Sequence, residues 1–343
     1  MPEEHEQAEP EEQDLEEEML TAARSVIRTC MQVRPHENVL VVTDPTTSEV
    51  GRALYEAASE VTDRILMMMM PRSHMQGNEP PASVGDLMRR QNVVLLATRN
   101  SLTHTRARTT SSREGARIAS MPGITQEMMA SGGMTADYNA LQKEISGLNP
   151  LLRRRRDVRV TSEAGTDIRF RTGARWVLED NGICNRPGQV TNLPAGKVFV
   201  LPQEQTMNGK IVIDGSWEGT ILEESISFLV EDGLVVSISG GEAAENIQSV
   251  LDEARVGLRP SRANLINTVA EFGFGMNPRA RISGKRLEDQ VVRGAAYFGF
   301  GDNSALGGAA SVGVHMRGVM LNPTVELNDV DLVIEGRITA RKR

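Results

Sequence analysis

Between Thr268 and Pro323 the chain gathers Glu271, Glu288, Asp289, Tyr297, Asp302, His315 and Arg317 among glycines and short apolar runs. Carboxylates and imidazoles are the side chains that hold divalent zinc, manganese or iron. A glycine-rich β scaffold lets backbone and ligand approach closely. The spacing itself carries no metal signature, because there is no HExxH and no CxxC pair. Glu288 and Asp289 are adjacent, and on a strand they would point to opposite faces, so they read as one acid plus a partner rather than two ligands. Glu271 reads equally as a salt-bridged carboxylate. His315, in the alternation SVGVHM, reads equally as a hydrogen-bonded core histidine.

A second cluster is Ser101-Leu102-Thr103-His104-Thr105-Arg106, just after the apolar run Asn92–Ala97. Ligands bind outside the carboxyl ends of parallel strands, so Ser101, His104 and Arg106 are placed to offer a donor, a titrating group and a carboxylate clamp. A capping and turn cluster is the alternative. Nucleophilic catalysis finds no GxSxG elbow, and no GxGxxG follows the first strand. Met67 to Met70 read as core packing rather than a soft copper site.

The elements that must position these groups follow from periodicity. Met19, Leu20, Ala23, Val26, Ile27, Cys30 and Met31 recur at helical spacing. Asn38–Thr43, Arg64–Met70 and Asn92–Ala97 are short apolar runs expected as buried strands. A helix face at Val50, Ala53, Leu54 and Ala57 has Thr47 or Ser48 as its cap. Helical patterns are read around 113–119, 125–130 and 135–148. Strand alternating with helix predicts an α/β N-terminal domain with a largely parallel sheet. After Leu152 the pattern turns to strands at 158–161, 166–171, 197–201, 210–214, 221–230, 234–239, 291–300, 311–320 and 325–338, with one helix at 242–254. That predicts an α+β C-terminal domain dominated by antiparallel sheet. The expected boundaries are a disordered acidic tail over 1–18, the first domain over 19–152 and the second over 153–343.

Composition narrows the partners. Apolar residues make up 39% and charged residues 24% of 343 residues, as in an ordinary globular protein. Residues 1–18 hold ten acids and no Lys or Arg; without them the formal charge of −8 becomes +2. A nearly neutral body gives no electrostatic case for nucleic acid. The absence of a run of about 18 apolar residues gives none for a membrane. Two cysteines, Cys30 and Cys184, form no disulfide framework, which predicts buried thiols and a cytoplasmic setting.

In order along the chain, Ser101–Arg106, Gly115-Ala116-Arg117 with Met121-Pro122-Gly123, Asn192 to Phe199, Asp214-Gly215-Ser216, Gly240-Gly241, Ala270-Glu271 with Gly275-Met276-Asn277-Pro278, Glu288-Asp289, Gly301-Asp302-Asn303, Gly307-Gly308 and His315 resemble the aminopeptidase-T-like metallo-aminopeptidases. The resemblance runs over roughly residues 20 to 338. A related branch is similar to the dihydroxypyridine ring-cleaving dioxygenases, which use a single non-haem iron. The resemblance implies a two-ion hydrolase centre and a homodimer. It matches Glu271 to the glutamate of the family's AE/GE motif and His315 to its late histidine. It also implies a glutamate where Lys197 stands, a histidine where Tyr297 stands and an aspartate where Arg317 stands. A tyrosine of the aminopeptidases falls near Ser304.

These replacements bring positive charge to positions that should neutralise cations, and a divalent ion and a cationic side chain about 4 Å apart repel strongly. Arg317 and Lys197 can pair with Glu271 or Glu288 instead. The expectation is a relative with a degraded metal site that binds a peptide or amino-acid-like ligand in an interdomain cleft. Glu271, His315 and Tyr297 would stand at its centre, with His104, Arg106, Lys197, Arg317, Glu288 and Asp302 around the ligand. Two alternatives stay open: an active aminopeptidase using one divalent ion (zinc, cobalt, manganese or iron) on Glu271 and His315 with Asp302 or Glu288, and an iron ring-cleaving dioxygenase. A two-ion cofactor is not expected.

Overall fold

The computed structural model describes residues 5–173 and 178–339. The chain divides into two compact units. The first comprises Met1–Gln142, Asp180–Ala195 and Pro278–Arg281, and the second Lys143–Glu179, Gly196–Asn277 and Ile282–Arg343.

The first unit is an α/β layer. Its sheet is parallel throughout, with β1 (Val39–Thr43), β2 (Ile65–Met69), β3 (Val93–Ala97), β4 (Arg117–Ser120) and Val190–Asn192 in the spatial order β2, β1, β3, β4, Val190–Asn192. The runs VLVVT and VVLLA bury every side chain, as central strands covered by helices on both faces do. Three expectations are corrected here. The pattern around 113–119 is not a helix: the helix Arg106–Arg113 ends there, and Arg117–Ser120 is a fully buried strand. The arginine in it is tolerated because Arg117 forks onto buried Glu37 at 2.8 and 2.9 Å. The run Arg64–Met70 is not a fully buried strand either, because β2 lies at the sheet edge with Leu66, Met67 and Met69 exposed. Third, the acidic stretch expected as a tail is helical from His5 to Ser25, with residues 1–4 outside the described residues. Leu15, Met19, Ala22 and Ala23 carry the apolar stripe back through it, Met19, Ala22 and Ala23 are buried, and the acids at 16–18 take the solvated face.

The second unit is dominated by antiparallel strands in an eight-stranded and a seven-stranded sheet. In the latter, Val269–Gly275 pairs with Lys197–Val200 on one side and Ala296–Gly301 on the other, and His315–Met320 pairs with Ala296–Gly301. The repeated phrases EFGFG and YFGFG set the two faces. Phe272 and Phe298 alternate with the glycines and pack together at 5.0 Å between ring centroids. Phe272 meets Phe170, and Phe300 stacks at 4.5 Å on Phe228; both partners belong to the eight-stranded sheet, so the core lies between the two sheets. The opposite face receives Glu271, Gly273 and Gly275 from one strand, and Tyr297, Gly299 and Gly301 from the next.

Candidate functional site

Strand register gathers the polar groups of the glycine face. Gly299 lies opposite Arg317, Gly301 opposite His315 and Gly275 opposite Lys197, so Lys197, His315 and Arg317 share the face of Glu271 and Tyr297. The glycines make room for them. A Cβ on Gly299 would stand 2.5 Å from Glu271 Cγ and 3.1 Å from His315 Cε1, and one on Gly273 would stand 2.5 Å from the Tyr297 ring.

Glu271 is fully buried, and its Oε1 accepts a hydrogen bond from Arg317 Nε. His315 donates through Nδ1 to the Asp302 carbonyl oxygen at 2.6 Å, because that acceptor requires the proton on Nδ1. Its Nε2 then faces Glu271 Oε1 at 3.5 Å, an ion-pair distance rather than a hydrogen bond. Burial works to raise the Glu271 pKa, but the charge of Arg317, with His315, holds it well below the usual carboxylate range. Burial works to lower the Arg317 pKa, and the charge of Glu271 more than offsets it, so Arg317 stays charged.

A second acid–base pair adjoins the first. Glu218 accepts the Arg317 backbone N–H at 2.6 Å and pairs with Arg286 at 3.1 Å. Burial, with the positive charge of Arg317, pulls the Arg286 pKa down against the pull of Glu218. Lys197 donates to Gln290 at 3.0 Å and lies 5.2 Å from the Tyr297 ring centroid. Glu218, Arg286, Gln290 and Gly299 were not singled out in the sequence. Their signal was proximity in the chain: Glu218 follows Asp214-Gly215-Ser216, and Arg286 and Gln290 flank Glu288-Asp289.

The remaining sequence candidates fall elsewhere. Asp302 spends both carboxylate oxygens on its own loop, at Ser304 and at the Val312 and Gly313 N–H groups, and meets the site through its carbonyl. Glu288 is buried on the short helix Arg286–Asp289 and accepts from Ser283 Oγ at 3.0 Å. His104 and Arg106 lie in the first unit, in the turn before the helix Arg106–Arg113 and at its first residue. There Glu79 accepts the Arg106 backbone N–H.

The sequence profile of the family described as NicX: 2,5-dihydroxypyridine 5,6-dioxygenase matches residues 18–340. The chain belongs to this family. A curated relative, the 2,5-dihydroxypyridine 5,6-dioxygenase of Pseudomonas putida KT2440, is 25% identical over 215 residues, 58% of this chain. The match spans about 59% of that relative's length. The solved 2,5-dihydroxypyridine dioxygenase of Pseudomonas putida KT2440 superposes with a TM-score of 0.79 at 18% identity, covering 94% of this chain and 97% of that one. Wild-type AmpT from Thermus thermophilus superposes with a TM-score of 0.66 at 15% identity, covering 94% and 99%. The aminopeptidase resemblance therefore holds at the level of fold, while the family is the dioxygenase branch.

A non-haem iron oxygenase site of the common kind needs two histidines and a carboxylate around open positions. The donors here do not fit it. One imidazole and one carboxylate converge, and that carboxylate already carries the Arg317 guanidinium. Among the described residues no group of three or more His, Cys, Asp or Glu is arranged to hold a metal ion. None of the described helices is long and apolar enough to cross a membrane.

Proposed function

We propose that this member of the dioxygenase family has replaced the metal centre by the Glu271–Arg317–His315 cluster and binds there a small peptide or amino-acid-like ligand through the ligand's carboxylate. The supporting observation is the state of Arg317. Its Nε is committed to Glu271, no described residue hydrogen-bonds its terminal amino groups, and 24% of its side chain is exposed. A guanidinium fixed at one edge and open at the other is suited to grip a carboxylate in two-point fashion. Glu271 Oε2 and His315 Nε2 are buried without a hydrogen-bond partner among the described residues, so the cluster behind Arg317 has unused hydrogen-bonding capacity. His315 is held in place by its Nδ1 contact to the Asp302 carbonyl, which turns Nε2 toward Glu271.

Titration calorimetry with L-leucine and L-leucylglycine, in EDTA, tests the reading. Binding should persist in the chelator and weaken roughly 10- to 100-fold in Arg317→Gln, in keeping with one charged hydrogen-bonded contact. No heat from either probe in wild type would refute it. The family relationship favours a second reading, a metal-dependent ring-cleaving dioxygenase. About one iron per chain, lost in His315→Ala, together with oxygen uptake on 2,5-dihydroxypyridine, would establish that reading instead.

A further inference from the structure

The antiparallel pairing continues past Arg317 to one more strand. Ser216–Trp217 pairs with His315–Met320, with Trp217 opposite Gly318 and its ring stacked on Phe228 in the core. The next residue turns to the other face, so Glu218 stands opposite Arg317 and its N–H donates to the Arg317 carbonyl at 2.9 Å. The Glu218 carboxylate is divided between two arginines. One oxygen accepts the Arg317 N–H at 2.6 Å, and the other lies 3.1 Å from Arg286 Nη1. Gly219 lets the Arg286 backbone approach: its φ is +84°, and a Cβ there would stand 2.9 Å from the Arg286 nitrogen. Burial is the main influence on the Arg286 pKa, followed by the charges of Glu218, Arg317 and Glu271, so this guanidinium lies beside the first pair.

A guanidinium carries five N–H donors. Arg286 is approached at Nη1, and no described residue hydrogen-bonds its Nε or Nη2; 37% of its side chain is exposed, against 24% for Arg317. Two guanidiniums with open N–H groups thus adjoin one another and share a single carboxylate.

We propose that Arg286 is a specificity-determining residue of this site and that the ligand class is an acidic amino acid. The inference rests on the reading that Arg317 grips the ligand's α-carboxylate. The side-chain carboxylate then meets the open edge of Arg286 and gains charge-assisted hydrogen bonds that an amide of the same shape does not. An aliphatic side chain in that position would take water from a half-buried charge without pairing it.

Titration calorimetry in EDTA compares L-glutamate with L-glutamine and L-aspartate with L-asparagine, pairs of equal length that differ by the charge, alongside L-leucine. In wild type at least one acidic member should bind about 10- to 100-fold more tightly than its amide. Arg286→Gln should bring that pair to within about threefold, and Arg286→Lys, which keeps a charge, should restore part of the difference. Arg317→Gln should weaken acid and amide together. A purely structural role for Arg286 would lower both affinities alike in Arg286→Gln and leave their ratio intact, and that result would overturn the proposal. So would wild-type ratios below about threefold in both pairs, a comparison that needs no variant. Binding of L-leucine with no preference for the acids sinks this inference alone. No heat from any of the five amino acids sinks the carboxylate reading with it.

Discussion

Replacing Arg317 by methionine strips from Glu271 the guanidinium that hydrogen-bonds it. Glu271 is fully buried, and its second oxygen already has no hydrogen-bond partner among the described residues. Water cannot reach the carboxylate, so the variant must bury a bare anion or protonate it. Removing one partner of a buried pair costs about 3–5 kcal/mol. Glu271→Gln should cost less, about 1–3 kcal/mol, because Arg317 is 24% exposed and keeps an amide oxygen as acceptor. The double variant Glu271→Gln/Arg317→Met leaves no unpaired charge and should recover much of the loss, giving a coupling energy of about 1.5 kcal/mol or more. Urea unfolding can be followed by far-UV circular dichroism and by the fluorescence of Trp217, which stacks on Phe228 in the core of the same unit. An Arg317→Met cost under about 1 kcal/mol, or additive single variants, would refute the claim that a protein cation neutralises Glu271.

The same pair predicts an acid dependence. The folded pKa of Glu271 is depressed, so its stabilisation is complete above the unfolded value near 4.5 and is lost as pH falls through the folded value. The stability gap between wild type and Glu271→Gln should thus shrink as pH drops from 5 toward 3; a gap that widens would contradict the assignment. Gly299→Ala would drive its Cβ to 2.5 Å from Glu271 Cγ. It should cost about 1–3 kcal/mol and abolish leucine and leucylglycine binding, and unchanged calorimetry would count against the glycine's role. Burial pushes the Cys184 thiol up to about 11 and Cys30 further still. Ellman's reagent at pH 8 should label neither cysteine in the native chain and both in urea; rapid native labelling would show the thiols to be accessible. In the first unit, Arg117→Met should also cost about 3–5 kcal/mol in urea unfolding by orphaning buried Glu37, and a near-neutral effect would overturn that account.

The alternation of apolar and polar residues fixed much of the fold before any contact was known. The two central strands, β1 and β3, are continuous apolar runs, and such runs announce burial on both faces. Val291–Phe300 and Ser311–Met320 were legible as strand, although the ladders occupy only Ala296–Gly301 and His315–Met320. The long stretch 325–338 breaks into three short strands, because a turn cannot be told from a strand when β-branched residues continue through it. Arg117–Ser120 was unreadable as a strand because its arginine looks solvent-facing until Glu37, eighty residues away in the chain, is found against it. The edge position of β2 was equally hidden, since a central and an edge strand of methionines have the same composition.

The site divides the same way. The family resemblance marked Lys197, Tyr297 and Arg317 as standing where metal ligands are expected, and residue types left Glu271 and His315, with Glu288, Asp289 and Asp302, as the donors of that stretch. Only the tertiary structure decided which cation meets Glu271, which oxygen orients His315, and that Glu218 and Arg286 form a second pair beside them. Side-chain type and local alternation are carried by neighbours in sequence. Register between strands drawn from residues 197, 271, 297 and 317 is set by cross-strand hydrogen bonds and core packing, which no local pattern encodes.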